Sequence, residues 1–161
     1  MKPFVIDNYL PENDFKFLKK KVVNDCVLPL FLQTSVGTVD IEDGIFFTHL
    51  FFDNGQWNSS HRELLFPILN KLNPSEIIRI QLNLYPKTFF IKKHSWHVDR
   101  KFSHKGCILY LNTNNGRTII RNSIKAKSVE NRALFFDPSV EHRSTTCTDK
   151  EFRSNIIINY Q

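Results

Sequence analysis

The run "IIRIQLNLYP" at Ile77–Pro86 constrains this chain more than any other stretch. From Ile78 onward the side chains alternate: Ile78, Ile80, Leu82 and Leu84 fall on one face of an extended strand, and Arg79, Gln81, Asn83 and Tyr85 on the other. Every residue of the second face can hydrogen-bond, so the aliphatic face packs on a core while the polar face looks into water or a polar pocket. Two helical patterns come earlier. In "PENDFKFLKKKVVND", Phe15, Leu18 and Val22 recur at helical spacing behind an acidic first turn. In "SSHRELLFPILNKL", Ser60 and Glu63 have capping-box spacing ahead of Leu64, Leu65, Ile68, Leu69 and Leu72, with Pro67 kinking or delaying the helix. A short strand is expected in "PFVIDNYL". After residue 86 come "CILYLN", "RTII", "IKAKSV", "ALFFD", "VEHRSTT" and "FRSNIIINY", short strands at regular spacing between turn-forming segments. The expected fold is mainly β with flanking α-helices: a sandwich or jelly roll with the N-terminal helices packed on one sheet.

The 161 residues, 41% hydrophobic and with 15 Phe, suffice for one domain with a real core. The N-terminal strand and helices are expected over residues 1–75 and the β core over 76–161. The longest apolar run, "IFFTHLFF" at Ile45–Phe52, falls well short of a bilayer span. The N-terminus lacks the apolar core and cleavage site of a signal peptide, so a soluble cytoplasmic protein without a membrane partner is expected. Three cysteines at wide spacings argue against a disulfide framework. A zinc site from Cys107, Cys147 and His94 or His104 would lack a chelating doublet. The net charge of +6 bounds partners loosely. Lys19, Lys20 and Lys21 read as a solvated helix face. Lys92, Lys93, Arg100, Lys101 and Lys105 form either an exposed basic loop or a positive rim that favours anionic substrates.

Between those last basic residues lies "HSWHVD". Six histidines and 16 acidic residues in 161 predict about 0.6 His-X-Asp/Glu tripeptides by chance, and the chain has two, His61-Arg62-Glu63 and His97-Val98-Asp99. The first falls on the expected helix, where residues two apart diverge by about 200°, and reads as structural. The second lies on extended chain, where residues two apart leave the same face, so His97 and Asp99 can grip one ion. His142, just past "LFFDPSVE", is a candidate third ligand. Two imidazoles and one carboxylate suit ferrous iron with open positions, and they also suit zinc hydrolysis.

Arg153 bears on that choice. If "CTDKE" is a hairpin turn, strand 140–146 pairs antiparallel with strand 152–160, His142 faces roughly Asn155, and Arg153 lies about 7 Å along, close to the length of a five-carbon dicarboxylate. A guanidinium in a strand that otherwise reads as core needs a carboxylate. Either a protein acid or a ligand can supply it.

"HVD", "LYLNTNNG", "SVENRALFFDP" and "EHRSTTCTDKEFRSNIIINY" together resemble the Fe(II)/2-oxoglutarate-dependent dioxygenases, specifically the short prolyl-4-hydroxylase-like group of bacteria and viruses. The resemblance covers residues 78–160. It implies a double-stranded β-helix core of jelly-roll, cupin-like type. It further implies Fe(II) held by His97, Asp99 and His142, 2-oxoglutarate gripped at its distal carboxylate by Arg153 and Tyr85, and O2 as the second cosubstrate. Asn83 and Asn155 share faces with Tyr85 and Arg153 and are further cosubstrate candidates. Trp96, His94 and Arg100 are expected at the substrate entrance. The implied reaction is hydroxylation of a C–H bond with release of succinate and CO2. The substrate is expected to be a protein or peptide side chain, with a nucleic acid as the alternative suggested by Trp96 and the basic rim. A jelly-roll binding module without oxidation is the reading from a different class. Prolyl 4-hydroxylases proper usually carry Lys where Arg153 stands, a departure that leaves the cosubstrate reading intact and weighs against peptidyl-proline.

Overall fold

The computed structural model describes residues 1–35 and 44–161. In chain order the elements are β1 (Phe4–Ile6), α1 (Glu12–Lys19) running on as a π turn over Lys20–Asn24, β2 (Phe31–Gln33), β3 (Phe46–Asp53) and β4 (Gln56–Trp57). A 3-10 turn (Arg62–Leu65) leads into α2 (Phe66–Leu72), and then follow β5 (Ile77–Pro86), β6 (Lys105–Tyr110), β7 (Arg117–Ile120), β8 (Lys125–Lys127), β9 (Ala133–Phe136), β10 (His142–Ser144) and β11 (Phe152–Tyr160). Among the described residues no helix is long and apolar enough to cross a membrane.

Two antiparallel sheets face each other. The large one runs β1-β9-β6-β11-β5-β3-β2 with β4 on β3, and the small one runs β10-β7-β8. β5 behaves as its alternation predicts. Ile80 and Leu82 are buried in the outer core with Phe15, Leu18, Leu65 and Ile68 from the helices. The polar face, Arg79, Gln81, Asn83 and Tyr85, lines a cavity between the sheets. A second, smaller core fills the interior from both sheets, with Ile108, Tyr110 and Ile157 from the large sheet meeting Ile120 and Ala126 from the small one. This is a jelly roll with the helices on the back of the large sheet.

Three expectations need correction. The β core does not begin at residue 76, because β3 pairs along β5 from Phe47↔Leu84 to Asp53↔Arg79. Its sequence, "FFTHLFFD", is apolar on both faces because both are covered, so it lacks the alternation that marks β5. The Ser60–Glu63 capping box does not form. Pro67 has no N–H to donate and sits in the first turn of α2, so the chain approaches through the 3-10 turn, and Ser59 Oγ instead accepts the His61 amide at 3.1 Å. On that turn His61 Nδ1 and Glu63 Oε1 come within 3.6 Å, a surface pair rather than the divergent one a helix would give. Finally, strands 140–146 and 152–160 do not form a hairpin. β10 pairs with β7, His142 opposite Ile120, while β11 lies in the large sheet with Asn155 between Asn83 and Tyr110. β11 is buried on both faces and needs strand partners on both edges, which the three-residue β10 cannot supply.

Candidate metal centre and dicarboxylate pocket

The segment before β6 is extended but bonds to the small sheet at isolated points. His97 and His142 exchange backbone hydrogen bonds, N–H to C=O, at 3.0 and 2.9 Å, and the Asp99 amide donates to the Pro138 carbonyl at 3.0 Å. These contacts clip the His-X-Asp segment beside β10. The two imidazole centroids then lie 4.4 Å apart. Asp99 Oδ1 is 3.8 Å from His97 Nε2 and 3.7 Å from His142 Nε2. Among the described residues this trio is the one group of potential metal ligands, its ligand atoms all within 4.8 Å of one another.

Each ligand is oriented from behind. His97 Nδ1 is 3.2 Å from the Ser95 carbonyl and His142 Nδ1 is 3.0 Å from the Val140 carbonyl, which leaves both Nε2 atoms for an ion. Asn159 donates to Asp99 Oδ2 at 2.8 Å and so leaves Oδ1 facing the histidines. Burial holds His142 down at about 4, with Asp99 pulling the other way, so its imidazole is neutral at pH 7. For Asp99 burial pushes upward, but His142, Arg79, the Asn159 hydrogen bond and His97 outweigh it and hold the carboxyl below its usual value. A neutral imidazole beside an ionised carboxylate is the protonation state a cation requires. Ligands about 2.1 Å from an octahedral centre stand about 3 Å apart, so the trio fits a transition metal after a closing movement on the order of one ångström.

The same cavity, of about 800 Å³, extends to Arg153. Arg153 is fully buried, yet no carboxylate among the described residues pairs with it. Its guanidinium donates to Thr118 Oγ1 at 2.9 Å and to the Thr145 carbonyl at 3.5 Å, both across the interior on the small-sheet side, and Nε has no partner. The rings of Tyr85 and Tyr110 flank it at 5.3 and 5.5 Å. The reading of Arg153 as half of a structural salt bridge finds no partner acid among the described residues. A Cβ on Gly116 would lie 2.6 Å from Arg153 Cδ, so glycine there makes room for the side chain.

Tyr85 sits opposite Arg153 in register and lines the cavity, and burial keeps its hydroxyl neutral by pushing it above its usual value. Asn83 and Asn155 also line it, joined by a 3.4 Å hydrogen bond, with Gln81 donating to Asn83 at 2.6 Å. Arg100 lies at the cavity, tied to Asp53 at 2.7 Å. The entrance positions expected for His94 and Trp96 do not match the structure. His94 is buried away from the cavity, its Nδ1 2.7 Å from Ser144 Oγ and its ring against Tyr85. Trp96 faces a second groove, outside the small sheet. Trp96 points away from the face that carries His97 and Asp99, while His94, of the same parity, turns inward because the segment is irregular between its bridges at Lys93 and His97. Tyr110 belongs to the inner core. Sequence reasoning missed Asn159, which the parity of β11 could have revealed since it shares a face with Arg153, and Thr118, which lies on the other sheet and gave no signal.

No family profile matches the sequence, and no curated protein matches it. Solved structures do match. A 2OG-Fe(II) oxygenase family oxidoreductase from Burkholderia pseudomallei superposes with a TM-score of 0.70 at 13% identity, over 99% of this chain and 84% of that one. A Pseudomonas putida prolyl-4-hydroxylase gives 0.60 at 13% identity, over 99% and 92%. The viral collagen prolyl hydroxylase from Paramecium Bursaria Chlorella virus-1, in its 2OG complex, gives 0.61 at 12% identity, over 100% and 97%. The chain therefore has the fold of the 2OG-Fe(II) oxygenases.

Proposed function

We propose that this protein is an Fe(II)- and 2-oxoglutarate-dependent dioxygenase that hydroxylates a substrate C–H bond. The observation that carries this reading is Arg153: a fully buried guanidinium with no carboxylate partner among the described residues, in one cavity with His97, Asp99 and His142. An unpaired buried charge costs several kcal/mol, and a bound dicarboxylate removes that cost. Zinc hydrolysis does not of itself require such a cation, whereas a dicarboxylate cosubstrate does. In this reading the trio holds iron, and Arg153, steadied by Thr118 and flanked by Tyr85, grips the distal carboxylate of 2-oxoglutarate through its planar fork. The neutral Tyr85 hydroxyl is the second donor to that carboxylate, and Asn83 and Asn155 line the approach.

When bound, iron with 2-oxoglutarate and O2 supplies the oxidising chemistry, which converts R–H, O2 and 2-oxoglutarate to R–OH, succinate and CO2. The chain itself supplies position and dryness. Ile108 and Ile157 line the cavity beside the polar groups, and no proton-transferring side chain is required. Prolyl hydroxylases among the structural neighbours support a protein or peptide side chain as the substrate class.

Anaerobic titration with Fe(II) and 2-oxoglutarate tests the assignment. The expected result is a weak visible charge-transfer band that His142→Ala abolishes. Arg153→Met is expected to weaken 2-oxoglutarate binding by about 100-fold or more, while iron affinity stays within a few-fold. Equal loss of both affinities would make Arg153 architectural. Failure to form succinate from 2-oxoglutarate in air, with iron bound, would leave a binding module.

A further inference from the structure

On the outside of the small sheet, strand parity places a row of cations. Along β7, Thr118 and Ile120 point inward and Arg117 and Ile119 outward, while along β10 His142 and Ser144 point inward and Arg143 outward. The outward residues, with Lys93, Arg121 and Lys125, line a groove of about 560 Å³ that no acidic side chain among the described residues enters. A solvated strand face is the simpler account of outward Arg and Lys, and two features speak against it here. Elsewhere on the described surface roughly half of the cations have an acid partner, as Lys19 has in Glu130, Lys87 in Glu151 and Arg132 in Asp7. Of the five cations in the groove only Arg121 has an acid among the described residues, Glu141 at 3.0 Å.

The second feature is aromatic. Trp96 lies in this groove, with the Arg121 and Arg143 guanidinium groups 4.6 and 4.1 Å from its ring centre. The loop that delivers Ile91 and Lys93 to the groove also carries Phe89 and Phe90, which are 96% and 79% exposed. Two neighbouring phenylalanines left in water mark a surface that something covers. Aromatic side chains set among cations that are mostly without an acid match the chemistry of a nucleic-acid strand, whose phosphates need the cations and whose bases need flat partners.

From this juxtaposition we infer that the outer face of the small sheet docks single-stranded nucleic acid. Phosphates lie along Arg117, Lys125, Arg143 and Lys93, and bases stack on Phe89, Phe90 and the guanidinium planes that lie over Trp96. Asn115, Asn122 and Ser123 in the same groove offer neutral hydrogen bonds to base edges. A duplex keeps its base faces covered and cannot use the aromatic residues. An acidic peptide satisfies the cations but not the flat rings. Because His142 and Arg143 leave opposite faces of one strand, docking leaves the inner cavity free for its own substrate, and this inference does not depend on the chemistry assigned there.

The test uses the intact protein and a fluorescein-labelled oligothymidylate of about 20 nucleotides, followed by fluorescence anisotropy across a salt series. Binding in the micromolar range is expected, with a log–log salt slope of about −2 to −3.5, as three to five neutralised phosphates on a single strand give. Arg117→Glu with Lys125→Glu is expected to weaken binding by about 10-fold or more and to flatten that slope. Phe89→Ala with Phe90→Ala is expected to weaken it about 5-fold or more with the slope unchanged, and being on an exposed loop it leaves the melting temperature in place should the charge reversals not. Undetectable binding to the oligonucleotide overturns the inference. So does duplex DNA or polyglutamate binding as tightly as the oligonucleotide, and so does binding to phosphatidylserine vesicles alone, which would make the loop a membrane contact.

Discussion

His142 shows how far a single residue's surroundings set its chemistry. Its sequence neighbours mark it only as a histidine after a turn. In the fold its ring is buried against Phe136 at 4.9 Å and Nδ1 meets a backbone carbonyl, so protonating Nε2 is unfavourable down to about pH 4. An unfolded histidine takes up its proton near pH 6.5. The folded pKa is the lower of the two, so the unfolded chain binds the proton first as pH falls. The part of the metal-free protein's stability that rests on His142 is therefore constant above about pH 6.5 and declines between about 6.5 and 4, by on the order of 3 kcal/mol, and His49, also held below its usual value by burial, adds a loss in the same direction. Asp99, held below its usual value, adds a loss in the same direction at lower pH. Urea midpoints measured in chelator across this range report the slope, and His142→Ala reduces it, leaving the His49 part. A slope unchanged by the substitution would assign it wholly to other groups.

At the scale of elements, β11 organises both halves of the site. Arg153, Asn155, Ile157 and Asn159 alternate toward the interior, so one strand carries the buried cation at its start and the residue that holds Asp99 near its end. The alternation was present in "RSNIIIN", but its use depends on which sheet lies opposite. The hairpin expected from "CTDKE" placed His142 and Arg153 on neighbouring strands of one sheet. The structure places them on facing sheets, which brings the same residues together across the interior. Asn159→Ala is expected to lower metal affinity by about 10- to 100-fold, because Asp99 loses the donor that turns Oδ1 toward the histidines. Binding of 2-oxoglutarate once the metal is loaded should change little. Isothermal titration with Fe(II) under nitrogen, followed by 2-oxoglutarate, separates the two, and an unaltered iron affinity would reduce the Asn159 contact to packing.

The whole molecule keeps two apolar cores with different duties. The outer one joins the helices to the back of the large sheet, while the inner one fills the space beside the site and includes Phe136. Leu65→Ala, in the outer core, is expected to lower stability by about 2 to 5 kcal/mol and leave metal affinity unchanged at temperatures where the protein stays folded. Phe136→Ala removes a similar amount of packing and also frees the His142 ring, so it should lower both. Denaturant unfolding and iron titration of the two variants make the comparison, and equal effects on metal affinity would mean that the cores are not separable.

Spacing along the chain by itself determined that β5 has one aliphatic and one polar face, that His97 and Asp99 leave the same side of an extended segment, and that Arg153 needs an anionic partner. Those are consequences of a two-residue repeat and of the energetics of a buried charge, and no tertiary contact is needed to state them. Only the tertiary structure decided that no acid among the described residues pairs with Arg153, that Thr118 reaches it from the opposite sheet, and that Trp96 belongs to the outer groove rather than the cavity mouth. The physical reason is that parity fixes which residues share a face, whereas sheet pairing between distant segments fixes what that face meets.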